Sequence, residues 1–313
     1  MQLQTTINIS EFSQKITYRT PILFVGSCFA ANIGNELLNR RFPAVVNPFG
    51  VCYNPQSIAK SLQRLQTNKL FSETDLVCCN ELWTTFSHHS SFSHPDANVF
   101  LQQANDALNK GHEIFKKTKF IIVSLGTSWA YRHKATKQIV SNCHKLSAAD
   151  FERVFLSADE TTTILSKEIA GNPDCQWILT VSPIRHWKDG AHGNQLSKSN
   201  LLIAIEKLQQ QFSNVHYFPA YEIMMDELRD YRFYADDMLH PSKQTIDYIW
   251  QRFSNVAFDD ETKKISGEIE KIITARQHRP LHPNTSSYQK FFQNLAQQIQ
   301  DFSTRYPYIN IDL

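Results

Sequence analysis

Residues 21–31 read PILFVGSCFAA, and the change of period inside them decides the fold. Ile22, Leu23, Phe24 and Val25 form a continuous apolar run of β-formers, the pattern of a strand buried on both faces of a parallel sheet. Gly26 permits a sharp turn, after which Phe29, Ile33, Leu37 and Leu38 recur at helical spacing. The switch from strand to helix therefore falls at Ser27. In open α/β sheets ligands bind at the carboxyl ends of the strands, where free N–H groups at a helix start can stabilise negative charge. Ser27 is thus a candidate nucleophile, although a serine in this place also serves as an ordinary helix cap.

The same alternation recurs along the chain. A short strand is expected over 42–46, a second fully apolar one over 120–125 (FIIVSL) ending at Gly126, a third over 176–182 (QWILTVS), and a further one over 215–218. Helical spacing predicts helices over 55–65, 96–117, 146–170, 199–212, 220–228 and 245–253, the third of these begun by a Ser147 cap. Ile7 and Ile9 alternate as in an edge strand, and the polar stretch 185–198 reads as a loop. These elements predict an α/β fold, a three-layer α/β/α sandwich around a parallel five-strand sheet. Residues 259–313 change character, with helices expected over 268–276 and 287–302 joined by the linker RPLHPN at 279–284. The expected organisation is an α/β domain over 1–258 and a peripheral helical extension over 259–313, packed on or beside it.

Far downstream, residues 235–241 read ADDMLHP. Asp237 and His240 are three apart, so a carboxylate can reach the imidazole, fix its tautomer and support the cation formed on proton uptake. Asp236 is a neighbouring alternative. A serine early with acid and base late is an order that one fold can assemble into a Ser-His-Asp triad.

GSCFA at 26–30 resembles the signature of the GSCFA family, a branch of the SGNH (GDSL-like) hydrolase superfamily. NPFGVCYNP at 47–55, SLGTSWAY at 124–131, NCHK at 142–145, SPIRHWKDGAHGNQLSK at 182–198 and DDMLHPS at 236–242 are similar to that family too. The likeness spans residues 18–255 and implies an SGNH-hydrolase-like, flavodoxin-like sandwich. It also implies Ser27 as nucleophile, with His240 as base and Asp237, from the Asp-x-x-His pattern, as its partner. Backbone N–H groups of Ser27 and of Gly50, the glycine after the second strand, are the implied oxyanion donors. The superfamily's third donor is an asparagine following a glycine; here Thr127 follows Gly126, so Thr127 is the substitute and Asn142 a second candidate.

Other residues are candidates for the substrate pocket: Cys28, Asn54, His88, His89, Trp129, Arg185 and His186. Cys28 is read as packing rather than as a nucleophile, since the next side chain on a helix's first turn points away from that of Ser27. His186 is a rival base, oriented by no carboxylate at helical spacing except Asp189. The aromatic, histidine-rich stretch 82–94 is read as a pocket wall, because the spacing of His88, His89 and His94 matches no zinc pattern.

With 32 Lys+Arg against 30 Asp+Glu, the formal net charge is +2, and no basic block interleaved with aromatics suggests a nucleic-acid partner. The glycines, nine in all, are wrongly spaced for a dinucleotide loop. Six scattered cysteines without CxxC spacing point to a reduced compartment. The amino terminus lacks a secretory pattern and no run is long enough to span a membrane, so a cytoplasmic setting is expected. No metal or organic cofactor is implied. The expected partner is a small-molecule or carbohydrate ester, and oligomeric state is not legible. The expected activity is removal of small acyl groups, with acyl transfer by the same serine, or binding without catalysis, as alternatives.

Overall fold

A computed structural model describes residues 4–278 and 285–311. The expected linker at 279–284 lies outside the described residues. In chain order the first elements are β1 (Ile22–Gly26), α1 (Cys28–Asn39), β2 (Ala44–Val46) and α2 (Pro55–Thr67). A hairpin of β3 (Val77–Cys79) and β4 (Leu82–Thr84) precedes α3 (Ala97–Phe115) and β5 (Phe120–Leu125). A small antiparallel sheet follows, made of β6 (Trp129–His133), β7 (Ile139–Val140) and β8 (Phe151–Phe155). The chain continues through α4 (Ala158–Ala170), β9 (Gln176–Val181), α5 (Gly190–Gln211), β10 (Val215–Tyr217) and the single turn α6 (Ala220–Glu222). It finishes with α7 (Lys243–Ala257), α8 (Asp260–Gln277) and α9 (Ser286–Arg305).

The central sheet has five parallel strands in the order β10-β9-β5-β1-β2. Counting only its own strands, this is the flavodoxin-like order, in which the crossovers leave β1 in opposite directions. A crevice opens where they diverge, at the carboxyl ends of β1 and β5. Side chains alternate across β1: Ile22 and Phe24 join the core under α1, α7 and α8, whereas Leu23 and Val25 join the core under α2, α3, α4 and α5. That two-sided burial is why the run is apolar at every position. The helices of the C-terminal region lie on the first face, and Ile265, Ile269, Leu295, Phe302 and Ile311 belong to the same buried cluster as Phe24. The extension expected to be peripheral therefore completes the core.

Three local expectations are corrected. Residues 146–170 are not one helix: a single 3₁₀ turn (Ala148–Asp150) capped by Ser147 leads into β8, and α4 begins only after Ser157. Ser157 and Glu160 form a capping box, which fixes that start, and β8 pairs antiparallel with β6 from Phe151↔His133 to Phe155↔Trp129. Residues 190–198, expected as loop, are the first turns of α5. Ile7 and Ile9 form no strand; the segment is tied down instead by buried Glu227, whose Oε2 accepts from Ile7 N–H at 3.2 Å and whose Oε1 pairs with Arg252 at 2.6 Å. No helix among the described residues is long and apolar enough to cross a membrane.

Candidate active site

Gly26 has φ +137°, and a Cβ there would stand 2.2 Å from the carbonyl oxygen of Ser124. Only glycine allows β1 to approach β5 so closely at its last residue. The chain then enters α1 with Ser27 as its N-cap, the side chain accepting from Phe29 N–H at 3.2 Å. Ser27 is 2% exposed, yet it lines a cavity of about 450 Å³ at the crevice. Its hydroxyl lies 2.9 Å from that of Ser124, and its N–H donates to Ser124 O at 3.1 Å. Ser27 therefore caps α1 and lines the cavity at once.

His240 lines the same cavity from the loop before α7. Its Nδ1 lies 2.5 Å from Asp237 Oδ2, while Asp237 Oδ1 accepts from the N–H groups of Leu239 and His240, each at 2.9 Å. These three hydrogen bonds, the backbone ones foremost, hold the Asp237 carboxyl down at about 2. An ionised carboxylate only accepts, so Nδ1 carries the proton and Nε2 is left with a lone pair. Both side chains are about half exposed (48% and 49%), which gives water access to the pair. No hydrogen bond joins Ser27 Oγ to the His240 ring; Ser124 holds that hydroxyl instead.

Cys28, Asn54, Trp129, Arg185 and His186 line the cavity, as do Thr127 and Asn142. Cys28 Sγ sits 3.2 Å from the Tyr53 hydroxyl. Asn54 caps α2, its Oδ1 accepting from Ser57 N–H at 2.9 Å. His186 faces Gly126 O through Nε2 at 3.0 Å, and burial, helped by the nearby Lys198 ammonium, pushes its pKa down to about 4. Asp189, its one prospective partner, is paired with Arg153 at 2.5 Å. His186 is thus a donor to a carbonyl, without a carboxylate behind it.

Two pocket candidates lie elsewhere. His88 is fully buried among Phe49, Phe71, Phe92 and Phe100, bonded to the Thr85 hydroxyl at 2.7 Å, with its pKa pushed down to about 3 chiefly by burial. It is a core histidine. His89 packs its Cβ against Gly50 and bonds to Ser91, so the stretch 82–94 is not a wall of this cavity. Among the described residues no cluster of three or more His, Cys, Asp or Glu is placed to hold a metal ion.

The expected oxyanion donors are engaged within the protein. Ser27 N–H is spent on Ser124 O, and Gly50, outside the cavity lining, turns at φ +80° to donate to Asn47 O at 2.7 Å. Thr127 Oγ1 accepts from Trp129 N–H at 3.0 Å and lies 3.1 Å from Ser197 Oγ. Asn142 uses its Nδ2 on Ser90 Oγ at 2.9 Å and its Oδ1 on His144 N–H at 2.9 Å.

Sequence reading missed Ser124, the rim residues Tyr131, Arg153 and Lys188, and Lys198. Lys198 is wholly buried, donates to Gly126 O and Ser182 O, each at 2.7 Å, and burial pushes its pKa down to about 7. It ties together the chain just beyond β5 and β9. A signal existed: with Asn194, Leu201, Ile205 and Leu208, Lys198 falls on the buried stripe of α5.

The GSCFA family model covers residues 21–253, and a model of the C-terminal domain of GSCFA domain proteins covers 269–313. The chain belongs to the GSCFA family. No curated protein matches it.

Proposed function

We propose that this chain is a serine esterase of SGNH type that removes small acyl groups, O-acetyl from a carbohydrate-type substrate foremost. The observation carrying this reading is that Ser27 and His240, the latter oriented by Asp237, line one cavity at the topological switch point of the sheet. A rotation of the Ser27 hydroxyl from Ser124 toward His240 Nε2 starts the reaction. His240 takes the proton as Ser27 Oγ attacks the ester carbonyl, and Asp237 supports the imidazolium. His240 then returns the proton to the leaving alcohol, and the acyl-serine is hydrolysed by a water that His240 activates.

The oxyanion needs donors other than those spent above. Asn54 is the best placed: its Oδ1 is fixed on Ser57 N–H, which leaves Nδ2 for the cavity that Asn54 lines. Cys28 N–H, first in α1 and without an intrahelical acceptor, is the second. Water access to the half-exposed His240–Asp237 pair supports hydrolysis as the reading ahead of acyl transfer. The cytoplasmic setting remains part of this reading, supported by the scattered cysteine spacing.

Hydrolysis of 4-nitrophenyl acetate by the wild type and by folded Ser27→Ala and His240→Ala variants tests the proposal. Each substitution is expected to lower kcat by up to about a million-fold, limited by background. Activity that survives Ser27→Ala would rule out this nucleophile, and an inert wild type would turn the reading to acyl transfer or binding.

A further inference from the structure

The cavity rim carries more positive charge than the proposed chemistry requires. Arg153, Arg185 and Lys188 all line it, and each lies against an aromatic ring: Arg153 over Tyr131 at 4.6 Å, Arg185 over Trp187 at 5.2 Å and Tyr234 at 5.3 Å, and Lys188 over Tyr131 at 5.2 Å. Arg153 is neutralised by Asp189. Arg185 and Lys188 form no ion pair with any carboxylate among the described residues. Lys188 donates to the Tyr131 hydroxyl at 2.6 Å.

Arg185 is the more informative of the two. Its Nη2 donates to Met238 O at 3.1 Å, which fixes the guanidinium against the loop that presents His240. Its Nε is buried and has no partner. A guanidinium held against two rings and a carbonyl has lost much of its freedom already, so its unpaired donors are ready for an incoming oxyanion. Trp129, which lines the same cavity, likewise has its Nε1 buried without a partner, a donor of the kind that meets a sugar hydroxyl or ring oxygen. Aromatic faces with unfilled neutral and cationic donors match a saccharide that carries a negative charge.

We propose that the substrate is an acylated anionic saccharide, whose carboxylate or phosphate is bound by Arg185, with support from Lys188, beside the His240 loop. The proposal rests on the esterase reading for the acyl group, but the charge preference is a property of binding. It is measurable where no turnover occurs.

The test uses calorimetric titration of the full chain carrying Ser27→Ala. The probes are O-acetylated trigalacturonate, the same trisaccharide with its carboxylates reduced to alcohols, and an O-acetylated hexose 6-phosphate. At low salt the uronate or the phosphate is expected to bind at least about tenfold more tightly than the reduced sugar, and added salt should erode the difference. Preference for one anionic probe assigns the charge to carboxylate or to phosphate. Adding Arg185→Gln should bring the affinities within about twofold, and adding Lys188→Gln instead should narrow the gap in part. Equal binding of charged and reduced sugars, a preference that survives both substitutions, or no saccharide binding at all would overturn the proposal. The nitrophenyl acetate assay on wild type judges the esterase reading separately, since that probe carries no anionic group.

Discussion

Ser27 Oγ and Ser124 Oγ lie 2.9 Å apart across the ends of two neighbouring strands, and that contact holds the proposed nucleophile in a resting rotamer. Ser124 is wholly buried, so water cannot replace it. Its loss should let the Ser27 hydroxyl wander. Because that contact must break before Ser27 can reach His240, Ser124→Ala is expected to raise kcat, by up to about tenfold, the equivalent of one neutral hydrogen bond. Steady-state kinetics on a soluble ester, with circular dichroism as a folding control, checks this.

Asp237→Asn keeps a side chain of the same shape but reverses the requirement on Nδ1, because an amide can donate where a carboxylate only accepts. The ring then presents the wrong tautomer to Ser27. A fall in kcat of about 10⁴ is expected. Since Asp237 is half exposed, its thermal midpoint should stay close to that of the wild type.

Asn54→Asp separates capping from oxyanion support. The carboxylate can still accept from Ser57 N–H, so α2 keeps its cap, but the amide donor is gone and a negative charge faces the developing oxyanion. kcat is expected to fall by about 10² to 10³ while the urea midpoint holds. An unchanged kcat would remove Asn54 from the mechanism.

His88 gives the fold an acid limb. It is neutral in the folded state with its pKa pushed down to about 3, against 6.5 for the unperturbed group, so the unfolded chain binds the proton first. The stability it contributes is complete above about pH 6.5 and is lost as the pH falls from there toward 3, with a slope of about 1.4 kcal/mol per pH unit. His88→Phe should remove that slope, as urea titrations at pH 7, 6, 5 and 4 would reveal.

Gly26→Ala should be far more damaging than its size suggests. The new Cβ meets Ser124 O at 2.2 Å and sits on a backbone at φ +137°. A loss of more than about 2 kcal/mol is expected, together with the geometry of Ser27. Calorimetric unfolding measures the first and ester hydrolysis the second.

The strand-turn-helix at Ser27 and the Asp237–His240 pair were legible because each is set by neighbours along the chain. Residues 151–160 were misread for a related reason: Phe151, Val154 and Phe155 fit helical spacing as well as the pairing with β6 that the fold selects. The Ser157-x-x-Glu160 capping box was the signal that outranked them. The burial of His88 depends on the rings of Phe49, Phe71, Phe92 and Phe100 that pack around it, and local sequence carries no such information, whereas Lys198 could have been found on the buried stripe of its helix. The oxyanion donors were hidden differently: whether the N–H of Ser27 or Gly50 is free depends on carbonyls supplied by Ser124 and Asn47 once the turns are built.

Ile311 and Phe302 are buried in the same cluster as Phe24 and Phe29, so one face of the first strand waits for residues nearly three hundred positions later. On the ribosome, β1 can pair with β2 early and with β5 once residues 120–125 have emerged, yet Ile265, Leu295, Phe302 and Ile311 join the cluster only much later. Until they do, the apolar cluster on that face of the sheet is incomplete and exposes surface. A cell making this protein must shield that surface until residues 265–311 have emerged, and a chain cut after 258 would lack the side chains that complete the cluster.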